Sequence, residues 1–315
     1  MKTGRRPTLE DVAAAAGVSR STVSRVINAQ AYVTEDARVA VRRAIAEIGY
    51  VPNESARALR TNRTMTVGLV VTRLRNQVFA TIAQSLDESL MAAGRTLLAG
   101  SSADDLDHEA HVVSAFLRRG IDGLVLTLVD ERKSLRRDLD EARIPLVLLD
   151  RESRGLSADL VLCGHREGMS AAMADLHAHG HERIGVITPP LEIRPGREVR
   201  DSFVQLGGDP DLVRSGILTE EFGRRIPEDL SLISYDDSPT SRLYDPGISS
   251  LVRDAEKMGT LAGSMIIERL NGYVGPPRKV VLPTEYVSRA SVGPAPKKAK
   301  RMHPPTENTA VLAES

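Results

Sequence analysis

Thr8-Leu-Glu-Asp-Val-Ala-Ala-Ala-Ala-Gly-Val-Ser-Arg-Ser-Thr-Val-Ser-Arg-Val-Ile-Asn28 reads as two short helices joined by a tight turn. Thr8 is placed to cap the first helix. Asp11, three residues on, completes a capping box, and the alanine run after it is a strong helix former. Gly17 breaks that run with the positive φ a sharp helix-to-helix turn needs, and Ser19 then serves as N-cap of a second helix. The second helix is two-faced. Val23, Val26 and Ile27 fall on one side, Ser21 and Arg25, four apart, on the other, with Arg20 at the exposed first turn. An apolar underside with an Arg/Ser outer face suits a helix that enters a DNA major groove, where arginine reaches guanine edges bidentately. Helix, glycine turn and helix also occur in all-helical proteins without a nucleic-acid partner, so the rest of the chain has to decide.

Charge distribution decides toward DNA. The 315 residues carry 42 Lys plus Arg against 42 Asp plus Glu, a formal net charge of zero. Met1 to Arg63 holds 11 Lys plus Arg against 6 Asp plus Glu, so this end carries +5 and the remainder −5. A basic head on an acidic body presents one end to phosphate. No secretory leader pattern opens the chain and no apolar run reaches the length of a membrane span. Cys163 is the one cysteine, which excludes an internal disulfide and fits a small buried hydrophobe. The expectation is a soluble, cytoplasmic, nucleoid-associated protein with no membrane partner.

Beyond Asn28, Thr34 caps a third helix, Glu35 to about Ile48, with Val41, Ala44, Ile45 and Ile48 at helical spacing and Gly49 as its stop. Three such helices make one small bundle. Pro52 forbids continuation, and Asn53 is placed to cap a further helix of about two turns, too short to be stable alone. That segment carries Arg57, Leu59 and Arg60 between the head and the body of the chain.

From Met65 the texture changes. Val67 to Val71, Thr96 to Ala99, Gly123 to Leu128 and Leu146 to Leu149 are short continuous apolar runs, as buried parallel strands are. Helical patterns lie between and after them, at about Val78 to Ala93, Leu106 to Arg119 and Lys133 to Ala142. A second set succeeds them: strand Leu160 to Cys163, helix Arg166 to His179, strands Ile184 to Thr188 and Leu230 to Ile233, helix Lys257 to Leu270 and strand Lys279 to Val287. This β-α-β repetition predicts an α/β class, doubly wound open sheet. Ligands in such sheets bind beyond the carboxyl ends of the strands. The rule points to Phe79, to Asp150 and Arg151, to the loop Pro189 to Arg197, and to Asp236.

Thr8-Leu-Glu-Asp-Val-Ala, Gly17-Val-Ser, Val23-Ser-Arg-Val-Ile-Asn, Glu47-Ile-Gly-Tyr-Val-Pro-Asn and Ala56-Arg-Ala-Leu-Arg resemble the DNA-binding head of the LacI/GalR family of bacterial transcription regulators. Thr66-Val-Gly-Leu-Val-Val, Arg119-Gly-Ile-Asp-Gly-Leu-Val-Leu, Ile144-Pro-Leu-Val-Leu-Leu-Asp-Arg, Gly180-His-Glu-Arg-Ile-Gly-Val-Ile and Ile226-Pro-Glu-Asp-Leu-Ser-Leu-Ile are similar to segments of the family's effector domain, in the family's order. The resemblance implies a repressor that binds a pseudo-palindromic double-stranded operator as a homodimer and answers to a small molecule, most often a sugar. It implies DNA contacts at Thr8, Ser19, Arg20, Ser21, Thr22, Arg25 and Asn28, and from a hinge helix at Ala56, Arg57, Leu59 and Arg60, with Leu59 as the wedge that kinks the operator centre. It further implies two hinged lobes like those of periplasmic sugar-binding proteins, with Arg197 and Asp236 hydrogen-bonding the effector and Phe79 and Asp150 lining the cleft, beside the Arg151 to which the strand-end rule points. The domains are then 1–52 (helix-turn-helix head), 53–64 (hinge helix and linker), 65–292 (effector binding and dimerisation) and 293–315 (disordered tail).

One departure stands out. In the family a helix, a strand and another helix precede the Ile-Pro-Glu-Asp segment, whereas here Leu218-Thr-Glu-Glu-Phe-Gly223 runs directly into it. About fifty residues are absent, the usual length of a strand with two helices. The same deficit arises from chain length alone, because a parallel crossover needs a dozen or more residues and usually a helix. The second lobe is expected to be shortened within about 198–229, and with it effector binding and part of the dimer interface weakened. An operator binder that no longer answers to a ligand is the alternative reading; a ligand-binding protein without a DNA role would lack the basic head. His177, His179 and His181 cluster where a helix ends and suit its dipole better than a metal. No G-x-S-x-G, Walker or G-x-G-x-x-G motif and no His/Cys metal spacing occurs, so no enzyme, metal or cofactor is expected.

Overall fold

The computed structural model describes residues 7–27, 32–51, 63–132, 139, 141–153, 155–215 and 225–296. It divides into two compact units, Met1–Thr64 and Met65–Ser315. The head consists of α1 (Leu9–Ala16), α2 (Arg20–Ile27) and α3 (Glu35–Ile48). Thr8 closes α1 through the expected capping box: its backbone N–H donates to Asp11 at 2.7 Å, and its hydroxyl accepts from the Asp11 N–H at 3.4 Å. Gly17 takes a φ of 64°, the left-handed conformation that turns α1 into α2 at no side-chain cost. Val12, Val23, Val41, Ala44 and Tyr50 form the buried centre of this bundle. Thr34 stands at the start of α3 but makes no side-chain cap there, so its capping role is confined to backbone.

The second unit is built on β1 (Thr66–Val71), β2 (Thr96–Ser101), β3 (Gly123–Leu126), β4 (Leu146–Leu149) and β5 (Asp159–Gly164). They run parallel in the order β2-β1-β3-β4-β5. Strands buried on both faces cannot alternate apolar and polar residues, and β3 and β4 are buried along their whole length. Helices α4 (Gln77–Ala92) and α5 (Leu106–Arg118) belong to this lobe. The Lys133 to Ala142 helix falls largely outside the described residues. Beyond β5 come α6 (Arg166–Ala178), β6 (Val186–Thr188), α7 (Arg194–Gln205), β7 (Val213–Ser215), β8 (Ile233–Tyr235), α8 (Pro239–Leu243), β9 (Ser249–Arg253), α9 (Ala255–Leu270) and β10 (Lys279–Val287).

β10 joins the lobes. Its first residues, Lys279 to Pro283, pair in parallel with β5, and Thr284 to Val287 pair antiparallel with β9. β9 then pairs in parallel with β8, while β6 and β7 form a separate two-stranded parallel sheet. Among the described residues, therefore, β6 pairs only with β7, and β8 only with β9. Strand β9 is absent from the sequence expectation, and β8 starts at Ile233 rather than Leu230. The Ser-Ser pair in β9 breaks the apolar run by which strands are recognised, and Leu230 is 41% exposed. The segment Pro189 to Arg197 is only half loop: α7 begins at Arg194, so Arg197 lies in its first turn.

Helices α4 and α9 approach closely at two glycines of α9. A Cβ on Gly259 would stand 2.5 Å from the Ile82 carbonyl oxygen, and one on Gly263 2.7 Å from Ser89 Cβ. Glycine is required here by close approach. Gly259→Val is expected to cost about 3 kcal/mol by overpacking, read as a lower urea midpoint for the second unit; an unchanged midpoint would mean that the helices separate freely.

Candidate functional site

Two surfaces carry chemistry, one in each unit. In the head, α2 buries Val23 completely, and Val26 and Ile27 pack against the same core, so Arg20, Ser21 and Arg25 are left exposed on the outer side. Ser19 fixes the start of this helix: its hydroxyl accepts from the Thr22 N–H at 3.1 Å and shares hydrogen bonds with the Ser21 and Thr22 hydroxyls at 2.8 Å each. Arg20 reaches back to Glu10 of α1 at 2.8 Å in solvent. An exposed pair of this kind is weak and is readily exchanged for another acceptor. Thr8 and Ser19 thus spend their hydroxyls on helix caps, while the outer face of α2 remains open to a partner. Asn28, Ala56, Arg57, Leu59 and Arg60 lie outside the described residues.

The second surface lies at the carboxyl ends of the strands. Asp150 comes directly after β4 of the first lobe and Asp236 directly after β8 of the second, and both adopt left-handed backbone, φ 55° and 79°. Such conformations are uncommon for residues with a Cβ and gather at functional positions. The two carboxylates face one guanidinium. Arg253, the last residue of β9, donates from Nε to Asp236 Oδ1 at 2.6 Å, from Nη2 to Asp236 Oδ2 at 2.7 Å, and from Nη1 to Asp150 Oδ2 at 3.0 Å. Its guanidinium also lies 5.4 Å from the centre of the Tyr235 ring. The Tyr235 hydroxyl meets the ring of His165 edge-on, and burial holds that imidazole neutral, down at about 4.

Around this centre the remaining charges are paired as well. Glu131, buried in the loop after β3, accepts from Arg197 Nη2 at 2.5 Å and from the backbone N–H groups of Arg194 and Glu152 at 3.0 and 3.2 Å. Arg194 donates to the Cys163 carbonyl at 2.8 Å and stands 4.0 Å from Asp150. Arg151 is buried beside Asp150 and donates to its carbonyl at 3.1 Å. Burial lowers the affinity of Arg151 for its proton. Asp150 Oδ1 makes no hydrogen bond.

Of the five residues expected at the cleft, Asp150 and Asp236 meet through Arg253, Arg151 adjoins them, and Arg197 joins through Glu131. Phe79 is 6% exposed and packs into the core among Leu149, Cys163 and Met258 rather than forming an open wall. Sequence reasoning missed Arg253 and Glu131, and took in Arg194 only as part of the loop Pro189 to Arg197. The rule that located Asp150 would have located Arg253 had β9 been recognised, since it too ends a strand. Cys163 is buried as expected, its thiol pushed up to about 12 chiefly by burial. His179 and His181 make hydrogen bonds to Asp175, Ser231 and Gly293, and among the described residues no cluster of His, Cys, Asp or Glu is arranged for a metal. No helix among them is long and apolar enough to cross a membrane.

Glu109 of α5 adds a titrating group to the first lobe. It is fully buried, accepts from the Val129 N–H at 2.6 Å through Oε2, and leaves Oε1 without a partner. Burial, aided by Asp130, pushes its carboxyl from 4.5 up to about 7. The folded value lies above the unfolded one, so this group's contribution to stability is complete below 4.5 and lost as pH rises through about 7. Glu109→Gln is expected to remove that slope, leaving the variant more stable than the parent above neutrality; denaturation midpoints across this range with parallel slopes would show that Glu109 ionises freely.

Comparison with known proteins finds relatives for both units. The model of the bacterial regulatory proteins of the lacI family matches residues 8–53, and that of the periplasmic binding protein-like domain matches residues 218–292. The HTH-type transcriptional repressor PurR of Klebsiella pneumoniae is 29% identical over 333 residues, taking in 92% of this chain and 98% of the relative; PurR of Escherichia coli O1:K1 is 28% identical over the same length. Since 92% of 315 residues is about 290, roughly forty aligned positions of the Klebsiella protein have no counterpart here. Among solved structures, a lac repressor dimer bound to operator and the anti-inducer ONPF superposes with a TM-score of 0.78 at 21% identity, covering 92% of this chain and 100% of that one. The regulator CelR in complex with cellobiose superposes with a TM-score of 0.63 at 29% identity, covering 91% and 100%.

Proposed function

Because the chain belongs to the LacI/GalR family of bacterial transcription regulators, we propose that it is a cytoplasmic transcriptional repressor that binds a pseudo-palindromic operator as a homodimer. The observation that carries this reading is the outer face of α2: Arg20, Ser21 and Arg25 are exposed on a helix whose opposite face holds the head together. Each protomer places α2 in the major groove of one half-site, where arginine reads guanine and the small hydroxyl permits close approach. The hinge segment with Ala56, Arg57, Leu59 and Arg60 folds on the operator, and Leu59 enters the minor groove at its centre, where unstacking one step is repaid by the wrapping a kink allows. A gel shift tests the reading: a discrete complex with one DNA sequence that survives excess nonspecific competitor is expected, and binding that depends only on salt and DNA length would contradict it.

The second unit is then the effector and dimerisation domain, and relatives captured with cellobiose or D-xylulofuranose make a sugar-like molecule the first class to try. A second reading is favoured by the ion pairs of the cleft. Asp150, Arg197 and Asp236, the groups that would recognise an effector, are already bound by Arg253 and Glu131. In addition, β6 and β8 each lack a strand on one side among the described residues, as they would if a strand with its covering helices had been deleted between them. The roughly forty unmatched positions of the Klebsiella relative support such a deletion. On this reading the chain binds its operator without answering to a ligand. Thermal-shift measurements against sugars and nucleosides separate the two: saturable stabilisation by any of them identifies an effector-responsive repressor.

A further inference from the structure

Arg253 occupies the point on which the cleft converges. Two aspartates, one at the end of β4 and one at the end of β8, are held in left-handed backbone so that their carboxylates approach from the two lobes. Between them stands a guanidinium, 7% exposed at its side chain, with both oxygens of Asp236 taken in a bidentate fork and one oxygen of Asp150 taken by the remaining arm. The fork geometry suits arginine and no other side chain. Asp150 Oδ1, buried and without a hydrogen bond, faces Arg194 at 4.0 Å. A neutral polyol entering this cleft would have to strip a desolvated guanidinium from two carboxylates and leave a buried charge uncompensated, which hydroxyl groups cannot offset.

We propose that Arg253 is an internal ligand of the cleft. It fills the place a diffusible effector would take, bolts the second lobe to Asp150 of the first, and restricts the site to the guanidinium class of cation. The proposal deepens the ligand-insensitive reading given above and rests on it: the body is held in one closed arrangement by its own side chain, so operator binding needs no corepressor and neutral sugars find no seat.

The experiment uses the full chain. Arg253→Gly removes the internal ligand and leaves two facing carboxylates, so its melting temperature is expected to fall by about 5 °C or more. Millimolar ethylguanidinium should restore the loss saturably, as binding to the folded form alone requires, whereas potassium chloride at equal ionic strength should not, and neither should shift the parent protein. If Arg253→Gly does not accumulate folded, refolding in ethylguanidinium should recover it, and D236N/R253G, with the facing charges reduced, should fold without the ion. Absence of rescue in both formats, or rescue equal to that by potassium chloride, overturns the proposal. A sugar or nucleoside that stabilises the parent overturns it too. Operator binding by the parent is measured separately, so a protein that fails to bind DNA but shows guanidinium rescue refutes the repressor reading and leaves the seat of Arg253 established.

Discussion

Asp159→Ala is expected to destabilise the second unit by about 3 to 5 kcal/mol, the cost of removing one partner from a buried charge network. Asp159 opens β5 with no exposed surface, and its carboxylate accepts four N–H groups: Arg269 Nε and Nη2 at 3.0 and 2.8 Å, and the Arg278 backbone and Nη2 at 2.7 and 2.9 Å. It therefore ties the end of α9 and the approach to β10 to the sheet, at the strand that links the two lobes. Burial alone would push this carboxyl up, but the hydrogen bonds from Arg269 and Arg278 outweigh it and hold it at about 2. A depressed folded value contributes stability that is present above the unfolded value of 3.8 and is lost as pH falls through about 2. Removing the carboxylate should lower the urea midpoint at pH 7 and flatten the acid limb together. A drop at pH 7 with the acid limb unchanged would assign the loss to packing instead.

Arg25→Ala is expected to cost about 1 to 3 kcal/mol at each half-site, and a dimer meets the loss twice, about 2 to 6 kcal/mol in all where the sites act independently. Arg25 is exposed on α2, one turn after Ser21. The loss should be confined to operators carrying the matched base, with discrimination relaxed at one base pair per half-site. A uniform loss across all sequences, together with a shallower salt dependence, would make Arg25 a phosphate contact.

The described part of the head was legible, apart from the side-chain cap that Thr34 does not make, because each of its signals is local. Thr8 with Asp11, Gly17, and the spacing of Val23, Val26 and Ile27 specify caps, a turn and a face within single helices. Strands β1, β3 and β4 of the first lobe were legible for a related reason: strands buried on both faces are written as unbroken apolar runs, and β4 begins and ends where its run does, whereas β5, grouped by sequence with the second set, pairs beside β4 in the first sheet. The second lobe was less so. β9 carries two serines that bond to the 289–291 segment and are buried through it, so its sequence lacks the apolar signal. Without β9, Arg253 had no strand end to mark it, and the cleft was read as acidic and basic groups awaiting a ligand. Their satisfaction by one another is a property of three-dimensional placement: Arg253 and Asp150 are 103 residues apart.

The helix-turn-helix and the cleft give this chain an unequal pair of surfaces. The outer face of α2 has exposed arginines with, at most, a weak solvent pair to Glu10. The cleft has buried charges that are nearly all neutralised from within. On the ligand-insensitive reading proposed above, such a regulator keeps the means of binding DNA and ties up the groups by which a small molecule would interrupt it.

The most direct test of the account is selection of bound sequences from random double-stranded DNA by the purified full-length protein. Enrichment of an inverted repeat, two half-sites related by a two-fold axis through a kinkable centre, is the expected result, with Arg25→Ala relaxing the same base pair in both halves. Recovery of no consensus, or of a single unrepeated half-site, would contradict a dimeric operator-binding repressor.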